Sequence, residues 1–136
     1  MAGKTERFIV TPQPRLEEIP AHHDAARVRE ELGTPYIYMA SSLVPEADMY
    51  FVLRHIKNVP PDFKPYVEPH KHNVSHFYAI IGELTYEVTL EDERHEVTGP
   101  ATIFIPAGMT HTIRPLRGSG YLAIVMRAGK YEVIAP

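Results

Sequence analysis

The stretch Glu83-Leu-Thr-Tyr-Glu-Val-Thr-Leu-Glu91 decides the fold class, because apolar and polar residues alternate along it without a break. Side chains two residues apart on a strand point to the same face of a sheet. The apolar face is formed by Leu84, Tyr86, Val88 and Leu90. The stretch therefore predicts a strand with one buried and one solvated face, and the charged turn over 91–94 predicts that it continues into a hairpin.

Most of the chain on either side of this strand has the same character. Short runs rich in Val, Ile, Tyr, Phe and Thr are separated by Pro, Gly, Asn or Asp. These runs cover residues 36–43, 49–56, 66–72, 76–81, 83–90, 95–97, 101–105, 110–115, 121–127 and 131–134. Many short, evenly spaced strands of this kind predict an all-β sandwich or barrel.

The N-terminal part of the chain differs from the rest. Residues 1–20 hold three prolines, which favour an extended arm. Residues 21–32 are mostly helix formers and are followed by a glycine and a proline, so we expect one short helix there. A chain of 136 residues normally forms a single domain. We therefore expect the arm and helix, residues 1–35, to belong to the same domain as a β-barrel over residues 36–136.

The composition excludes several classes of function. The net charge is −3 and the basic residues are scattered, so a nucleic-acid partner is not expected. The chain has no cysteine, so any metal must be held by nitrogen or oxygen atoms. The sequence has no apolar run long enough for a membrane span or a signal-peptide core, so we expect a cytoplasmic protein with no membrane partner.

Four histidines carry most of the chemical information in the sequence. Three of them lie in the stretch Glu68-Pro-His-Lys-His-Asn-Val-Ser-His76, and His111 ends the stretch Pro106-Ala-Gly-Met-Thr-His111. His70 and His72 are two residues apart and would share one face of a strand, so both could reach the same point in space. A rolled sheet can add ligands from distant positions, and the four residues together indicate a metal site.

The spacing of these histidines resembles the paired motifs of the cupin superfamily. The motifs read His70-x-His72-x3-His76-x5-Gly82 and Gly99-x6-Pro106-x-Gly108-x2-His111. The family usually has a glutamate where this chain has His76, and one residue fewer between the glycine and the proline of the second motif. The match covers residues 66–115 and is similar to small single-domain cupins with four histidines. The resemblance implies a jelly-roll barrel, also called a double-stranded β-helix, and a metal held by His70, His72, His76 and His111.

The histidine at position 76 has a chemical consequence. Four neutral imidazoles leave the 2+ charge of a divalent ion uncompensated, whereas three imidazoles and a glutamate would reduce it to 1+. An octahedral metal would keep two positions after four protein ligands, so a substrate could bind through two oxygens, or through one oxygen beside O₂. Imidazole suits several ions, so we expect one divalent transition metal per chain, which could be Fe, Mn, Ni or Zn.

These features favour a metal-dependent enzyme, and three hypotheses follow. The leading one is a dioxygenase, an oxidoreductase that acts on a small enolisable dicarbonyl or phenolic compound bound through two oxygens. The same site would suit an isomerase or lyase acting on a small sugar-acid-like substrate. The third hypothesis is a non-catalytic module that binds or senses a small molecule, because a fold does not fix a function.

Three further residues are candidates for the substrate pocket. Arg54 alternates with apolar residues on its strand and could hold a carboxylate or enolate oxygen. Tyr78 lies two residues after His76 and would share its inward face. Tyr121 could line the mouth of the barrel, although the opposite face of its strand is the more apolar one.

The remaining histidines and the arm are expected at the surface. His22 and His23 would be exposed on the helix and His95 on the hairpin, while the position of His55 is ambiguous. The apolar segment 8–10 of the arm could lie against a sheet edge of a second copy, so we expect a homodimer.

Overall fold

The computed structural model describes residues 4–17, 19 and 21–131, and it is built mainly of β strands. A 3-10 turn over Glu6–Phe8 begins the arm, and one helix, α1, spans Ala25–Leu32. The strands are β1 (Gln13–Pro14), β2 (Tyr36–Met39), β3 (Tyr50–Ile56), β4 (His76–Ile81), β5 (Leu84–Leu90), β6 (Glu93–Thr98), β7 (Ala101–Ile105), β8 (His111–Gly118) and β9 (Gly120–Met126). The all-β class predicted from the alternating pattern is confirmed.

The strands form two antiparallel sheets with the apolar core between them. The larger sheet has the order β1-β2-β3-β9-β4-β7 and the smaller one the order β6-β5-β8. The alternating stretch forms β5, in the middle of the smaller sheet, and its Leu84, Tyr86 and Val88 are at most 1% exposed. Two antiparallel sheets packed in this way form the predicted jelly-roll architecture.

The arm and α1 pack against the barrel of their own chain. β1 extends the larger sheet, with Gln13 paired to Ile37 of β2. Val28 and Leu32 of α1 are each 2% exposed and belong to the same apolar cluster as Ile56 of β3. Burying two such side chains contributes roughly 3–6 kcal/mol of transfer free energy. Among the described residues, no helix has the length and apolar character needed to cross a membrane.

The predicted strand over 66–72 is irregular in the structure. It is held by isolated antiparallel bridges, in which Val67 pairs with His22 and His70 pairs with His111. A regular ladder is interrupted because Pro69 has no N–H group to donate to a neighbouring strand. The segment still lies beside the start of β8, which is what the metal site requires of it.

Other predicted boundaries also differ from the observed ones, since β2 ends at Met39 and not at residue 43, and β8 continues to Gly118 and not only to residue 115. The helix begins at Ala25 and not at residue 21, because Asp24 takes a left-handed backbone conformation with φ of +51° just before it. The strand predicted over 131–134 is not formed at Tyr131, and residues 132–134 lie outside the described residues.

The outer face of the larger sheet is apolar and exposed to solvent. Ile81, Phe104 and Tyr121, on three adjacent strands of this sheet, are 50%, 63% and 38% exposed. Exposed apolar patches on a soluble domain often mark contacts with another protein. The homodimer predicted from the sequence stays a prediction, and this face is where a second copy could bury apolar surface.

The Phe104→Glu variant tests the homodimer. If two copies pair through this face, light scattering is expected to give twice the chain mass of 15.4 kDa for the unmodified protein. The variant is expected to give a single-chain mass, because a carboxylate buried in an apolar contact costs several kcal/mol. Leu16→Glu, at an exposed apolar position on the arm, is the matched control. A single-chain mass for the unmodified protein would contradict the homodimer.

Candidate metal centre

Two segments that pair with each other bring the four histidines together. The backbone N–H of His70 donates to the carbonyl of His111 at 3.1 Å, and the N–H of His111 donates to the carbonyl of His70 at 2.9 Å. The N–H of Gly108 donates to the carbonyl of His72 at 2.8 Å, and its φ of +85° is one that glycine adopts readily. His76 is the first residue of β4. In this arrangement all four histidine side chains are buried, with exposed fractions between 1% and 3%.

The four imidazole rings form one compact cluster. The ring centroids of His70 and His111 are 4.4 Å apart, those of His72 and His76 are 4.7 Å apart, and those of His76 and His111 are 4.8 Å apart. The ring nitrogens that His70, His72 and His111 offer lie within 4.8 Å of one another. Metal–nitrogen bonds of about 2.1 Å place two nitrogens of one ion at most about 4.2 Å apart, so small side-chain movements would close these three residues around an ion. His76 does not belong to this group of three.

Backbone carbonyls fix the orientation of two of the rings. The Nδ1 atom of His70 lies 2.8 Å from the carbonyl oxygen of Glu68, and the Nδ1 atom of His111 lies 3.0 Å from that of Met109. A carbonyl oxygen can only accept a hydrogen bond, so each Nδ1 carries the proton and each Nε2 keeps its lone pair. Metal-binding histidines typically use this second hydrogen bond to hold the ring in place.

The side chain of His76 has no hydrogen-bond partner in the part of the chain that the structure describes. Both of its ring nitrogens are buried and have no hydrogen-bond partner among the described residues, and the same holds for Nε2 of His111. A buried polar atom left unpaired costs about 1–3 kcal/mol. A metal ion would satisfy one ring nitrogen of His76 and Nε2 of His111, so the donor set fits a divalent transition metal.

Burial keeps the imidazoles in the neutral form that a metal requires. Desolvation, helped by the nearby His111 and His72, lowers the pKa of His76 to about 2. Burial also lowers the pKa of His111 to about 4, although its hydrogen bond to Met109 acts in the opposite direction. The pKa of His70 is lowered by burial as well. At neutral pH these rings therefore carry no proton that a metal would have to displace.

Solved structures of other proteins share this architecture. No protein-family model matches the sequence, and no curated protein matches it. A deletion mutant of Bacillus subtilis oxalate decarboxylase is similar with a TM-score of 0.62 and 18% identity, over 91% of this chain and 30% of that one. Another structure of that enzyme, described by its Mn(II) centres, is similar with a TM-score of 0.58 and 18% identity, over 89% of this chain and 28% of that one. KdgF from Halomonas sp. is similar with a TM-score of 0.54 and 15% identity, over 73% of this chain and 80% of that one.

This chain has the cupin fold. At these identities the likeness concerns the fold alone, and the chain spans 30% of the length of the oxalate decarboxylase it matches.

Inside the cupin barrel, a cavity of about 20 Å³ lies next to the histidine cluster. Tyr78, which is 3% exposed, lines this cavity, and its ring centroid is 5.1 Å from that of His76. Arg54 is 7% exposed and lines the same cavity, with its Nη1 donating to the hydroxyl of Tyr66 at 3.2 Å. The structure therefore places two of the three predicted pocket residues in the lining of one cavity.

Tyr121, the third predicted pocket residue, lies elsewhere. It is 38% exposed on the outer face of β9, where its ring stacks on that of His55 at a centroid distance of 4.5 Å. Leu122 and Ile124 of the same strand line the cupin cavity instead. The prediction is corrected because successive side chains alternate across a strand, and the more apolar set of β9 takes the interior.

Several residues at the cavity were not predicted to belong to the site. Arg15 of the arm is 7% exposed and lines the cavity. His22, predicted to be exposed, also lines it, and burial followed by the nearby Arg15 lowers its pKa to about 3. The hydroxyl of Tyr131 lies 3.4 Å from Nε2 of both His22 and His70. His23 and His95 are exposed, as predicted.

Proposed function

We propose that this chain is a metal-dependent cupin enzyme that acts on a small, oxygen-rich compound. The observation that carries the proposal is the cluster of four buried imidazoles, in which both nitrogens of His76 lack a hydrogen-bond partner among the described residues. Histidines with a purely structural role would be expected to satisfy their nitrogens with hydrogen bonds inside the protein. The cavity that adjoins the cluster supplies a place for a ligand.

The metal and the side chains of the protein would have different roles in the proposed reaction. A divalent transition metal in this donor set would supply a Lewis acid for an oxygen atom of the substrate. Arg54 is oriented by its contact with Tyr66 and can neutralise negative charge on the substrate. Burial raises the pKa of Tyr131, so its phenol keeps its proton at neutral pH and can donate a hydrogen bond near His70. Tyr78 closes the barrel beside His76 and excludes water.

Two reaction classes suit this arrangement. The dioxygenase, predicted from four neutral ligands, stays a prediction. An isomerase or lyase acting on a sugar-acid-like compound is favoured by the arginines in the lining of the cavity, which suit an acid better than a neutral phenol. The similar oxalate decarboxylase, with its Mn(II) centres, makes manganese the first metal to test among Fe, Mn, Ni and Zn.

The test is a substrate screen on protein loaded in turn with each of these metals. Small dicarbonyls, phenols and sugar acids are incubated with the protein in air and without oxygen. Turnover that requires both metal and O₂ supports the dioxygenase, whereas turnover that requires metal alone supports the isomerase or lyase. Ligand binding without turnover for every metal would contradict the proposal and identify a binding or sensing module.

The His76→Glu variant is expected to keep its metal and to change its turnover. A carboxylate ligand would lower the net charge of the loaded site from 2+ to 1+, which makes the metal a weaker Lewis acid. A barrier increase of about 1.4 kcal/mol already corresponds to a tenfold lower kcat, and we expect at least about that loss. Steady-state kinetics measures kcat, and metal analysis measures the metal content. His95→Glu, at an exposed position, is the control variant. Identical turnover would remove His76 from the mechanism.

A further inference from the structure

Two buried arginines share the cupin cavity. Arg15 comes from the arm and Arg54 from β3, and each is 7% exposed. Both side chains line the cavity beside the histidine cluster. Within residues 4–17, 19 and 21–131, neither guanidinium forms an ion pair, and Nη1 of Arg15 and Nε of Arg54 have no hydrogen-bond partner.

The contacts of these arginines do not balance their charge. A guanidinium keeps its proton in a protein, so burial cannot neutralise it. The guanidinium carbon of Arg15 lies 5.8 Å from the ring centroid of Tyr131, and Nη1 of Arg54 donates to the hydroxyl of Tyr66. The exposed Glu17 lines the second cavity that both arginines share, but among the described residues it forms no ion pair with either of them. Such contacts offset part of the desolvation of a cation, whereas an anion between two cations would offset far more of it.

The side chains beside Arg54 indicate which kind of anion fits. Val52, Leu122 and Ile124 line the cavity on the same sheet face, where Leu122 pairs with Arg54 and Ile124 with Val52, and they offer no hydrogen bonds to a ligand. An inorganic anion would be poorly solvated against these side chains, whereas a carbon chain would pack on them. A second cavity of about 20 Å³ shares Arg15 and Arg54 in its lining and extends the space towards α1. Each cavity alone has room for about one water molecule, so a short ligand would occupy both of them and displace the side chains between them slightly.

We propose that Arg15 and Arg54 form a carboxylate-binding site for a short-chain organic acid. The two guanidinium groups offer N–H donors to both carboxylate oxygens, and the carbon chain lies along the apolar wall. The far end of the ligand then lies beside Tyr78 and Tyr131, which contact both the cavity and the histidine cluster. A short-chain organic acid is then the substrate class of the proposed enzyme. Binding of the acid does not depend on the proposed function, and only the reaction after binding rests on it.

Butyrate is the probe for the test, because it has one carboxylate, a short carbon chain and no second oxygen donor for a metal. Calorimetry and thermal unfolding of the full chain, with and without chelator, are expected to detect butyrate in both forms. Butyramide has the same shape without the charge, and inorganic phosphate has the charge without the chain, so both are expected to bind at least about tenfold more weakly. Equal binding of butyramide or of phosphate would overturn the proposal, as would a failure of butyrate to bind.

Variants of the two arginines separate a binding role from a structural one. Arg15→Met and Arg54→Gln are each expected to weaken butyrate binding by about 10 to 100-fold, since each removes charged hydrogen bonds. Arg15→Met is also expected to raise the Tm of the ligand-free protein, because it replaces an unpaired buried cation with an apolar side chain. Arg117→Gln, at an exposed arginine paired with Glu96, is the control and should leave both quantities unchanged.

The outcomes for this inference and for the proposed function are distinguishable. Butyrate binding that depends on both arginines, without metal-dependent turnover of any acid, supports the carboxylate site and contradicts the enzyme. Metal-dependent turnover with unchanged affinity for butyrate in both arginine variants supports the enzyme and overturns the carboxylate site. Folded protein in every variant is verified by circular dichroism. If Arg54→Gln does not fold, Arg54→Lys takes its place. This variant is expected to keep the positive charge and to lose the bidentate hydrogen bonds to the carboxylate.

Discussion

Replacing His111 by alanine is expected to abolish stoichiometric metal binding. His111 lies at the centre of the cluster, with its ring 4.4 Å from that of His70 and 4.8 Å from that of His76. Loss of residues that merely orient a ligand costs about 10 to 100-fold in metal affinity, so loss of a direct ligand should cost at least as much. Elemental analysis of freshly purified protein gives the occupancy, and calorimetric titration of chelator-treated protein gives the affinity.

The same result is expected for His72→Ala, and an exposed histidine provides the control. His95 lies on β6 at the surface, so His95→Ala removes an imidazole without touching the cluster. Unfolding in urea separates lost metal binding from lost structure, because a variant that stays folded without metal has lost only the ligand. Full occupancy in both His72→Ala and His111→Ala would refute the metal site.

The fold could be predicted because its signals are local. The alternation in β5 spans seven residues, and the glycines and prolines that end the strands are adjacent to them in the sequence. Boundaries that depend on tertiary pairing were predicted less well. The segment around Pro69 has the composition of a strand, yet it forms only isolated bridges, because the partner that orders it lies about forty residues away in β8.

The histidines could be predicted for the same reason, since three of them lie within seven residues. The arginine pair could not be predicted as a pair. Arg15 lies between a proline and an exposed leucine, and an isolated arginine in an arm is usually exposed. Its burial depends on Pro35, whose carbonyl accepts the N–H of Arg15 at 2.9 Å, and on Tyr131 at the other end of the described chain. Contacts between such distant positions leave no pattern in the sequence.

The metal-free protein is expected to lose stability steeply as the pH falls below about 6.5. Burial lowers the pKa of His22 to about 3, of His76 to about 2 and of His111 to about 4, whereas an imidazole in the unfolded chain titrates near 6.5. The unfolded state therefore binds more protons than the folded state in the window from about pH 6.5 down to about pH 4. Stability is fully present above this window and is lost as the pH falls through it.

The size of this effect follows from the number of groups. Each imidazole that stays neutral in the folded state costs about 1.4 kcal/mol per pH unit, so three of them cost at most about 4 kcal/mol per pH unit. A domain with about 5–15 kcal/mol of stability would then unfold within a few pH units.

Urea unfolding of chelator-treated protein at pH 7.5, 6.5 and 5.5 measures the slope. His76→Gln removes one of the titrating groups and is expected to reduce the slope, while His95→Gln, at an exposed position, should leave it unchanged. Saturating metal is expected to move the unfolding to lower pH, because a metal bound only by the folded state stabilises it and competes with protons for the same nitrogens. An equal free energy of unfolding at pH 7.5 and 5.5 without metal would mean that the imidazoles accept protons in the folded protein. A histidine cluster that tolerates this charge would be well solvated, and a metal bound there would not have the electrophilic character inferred from four neutral ligands.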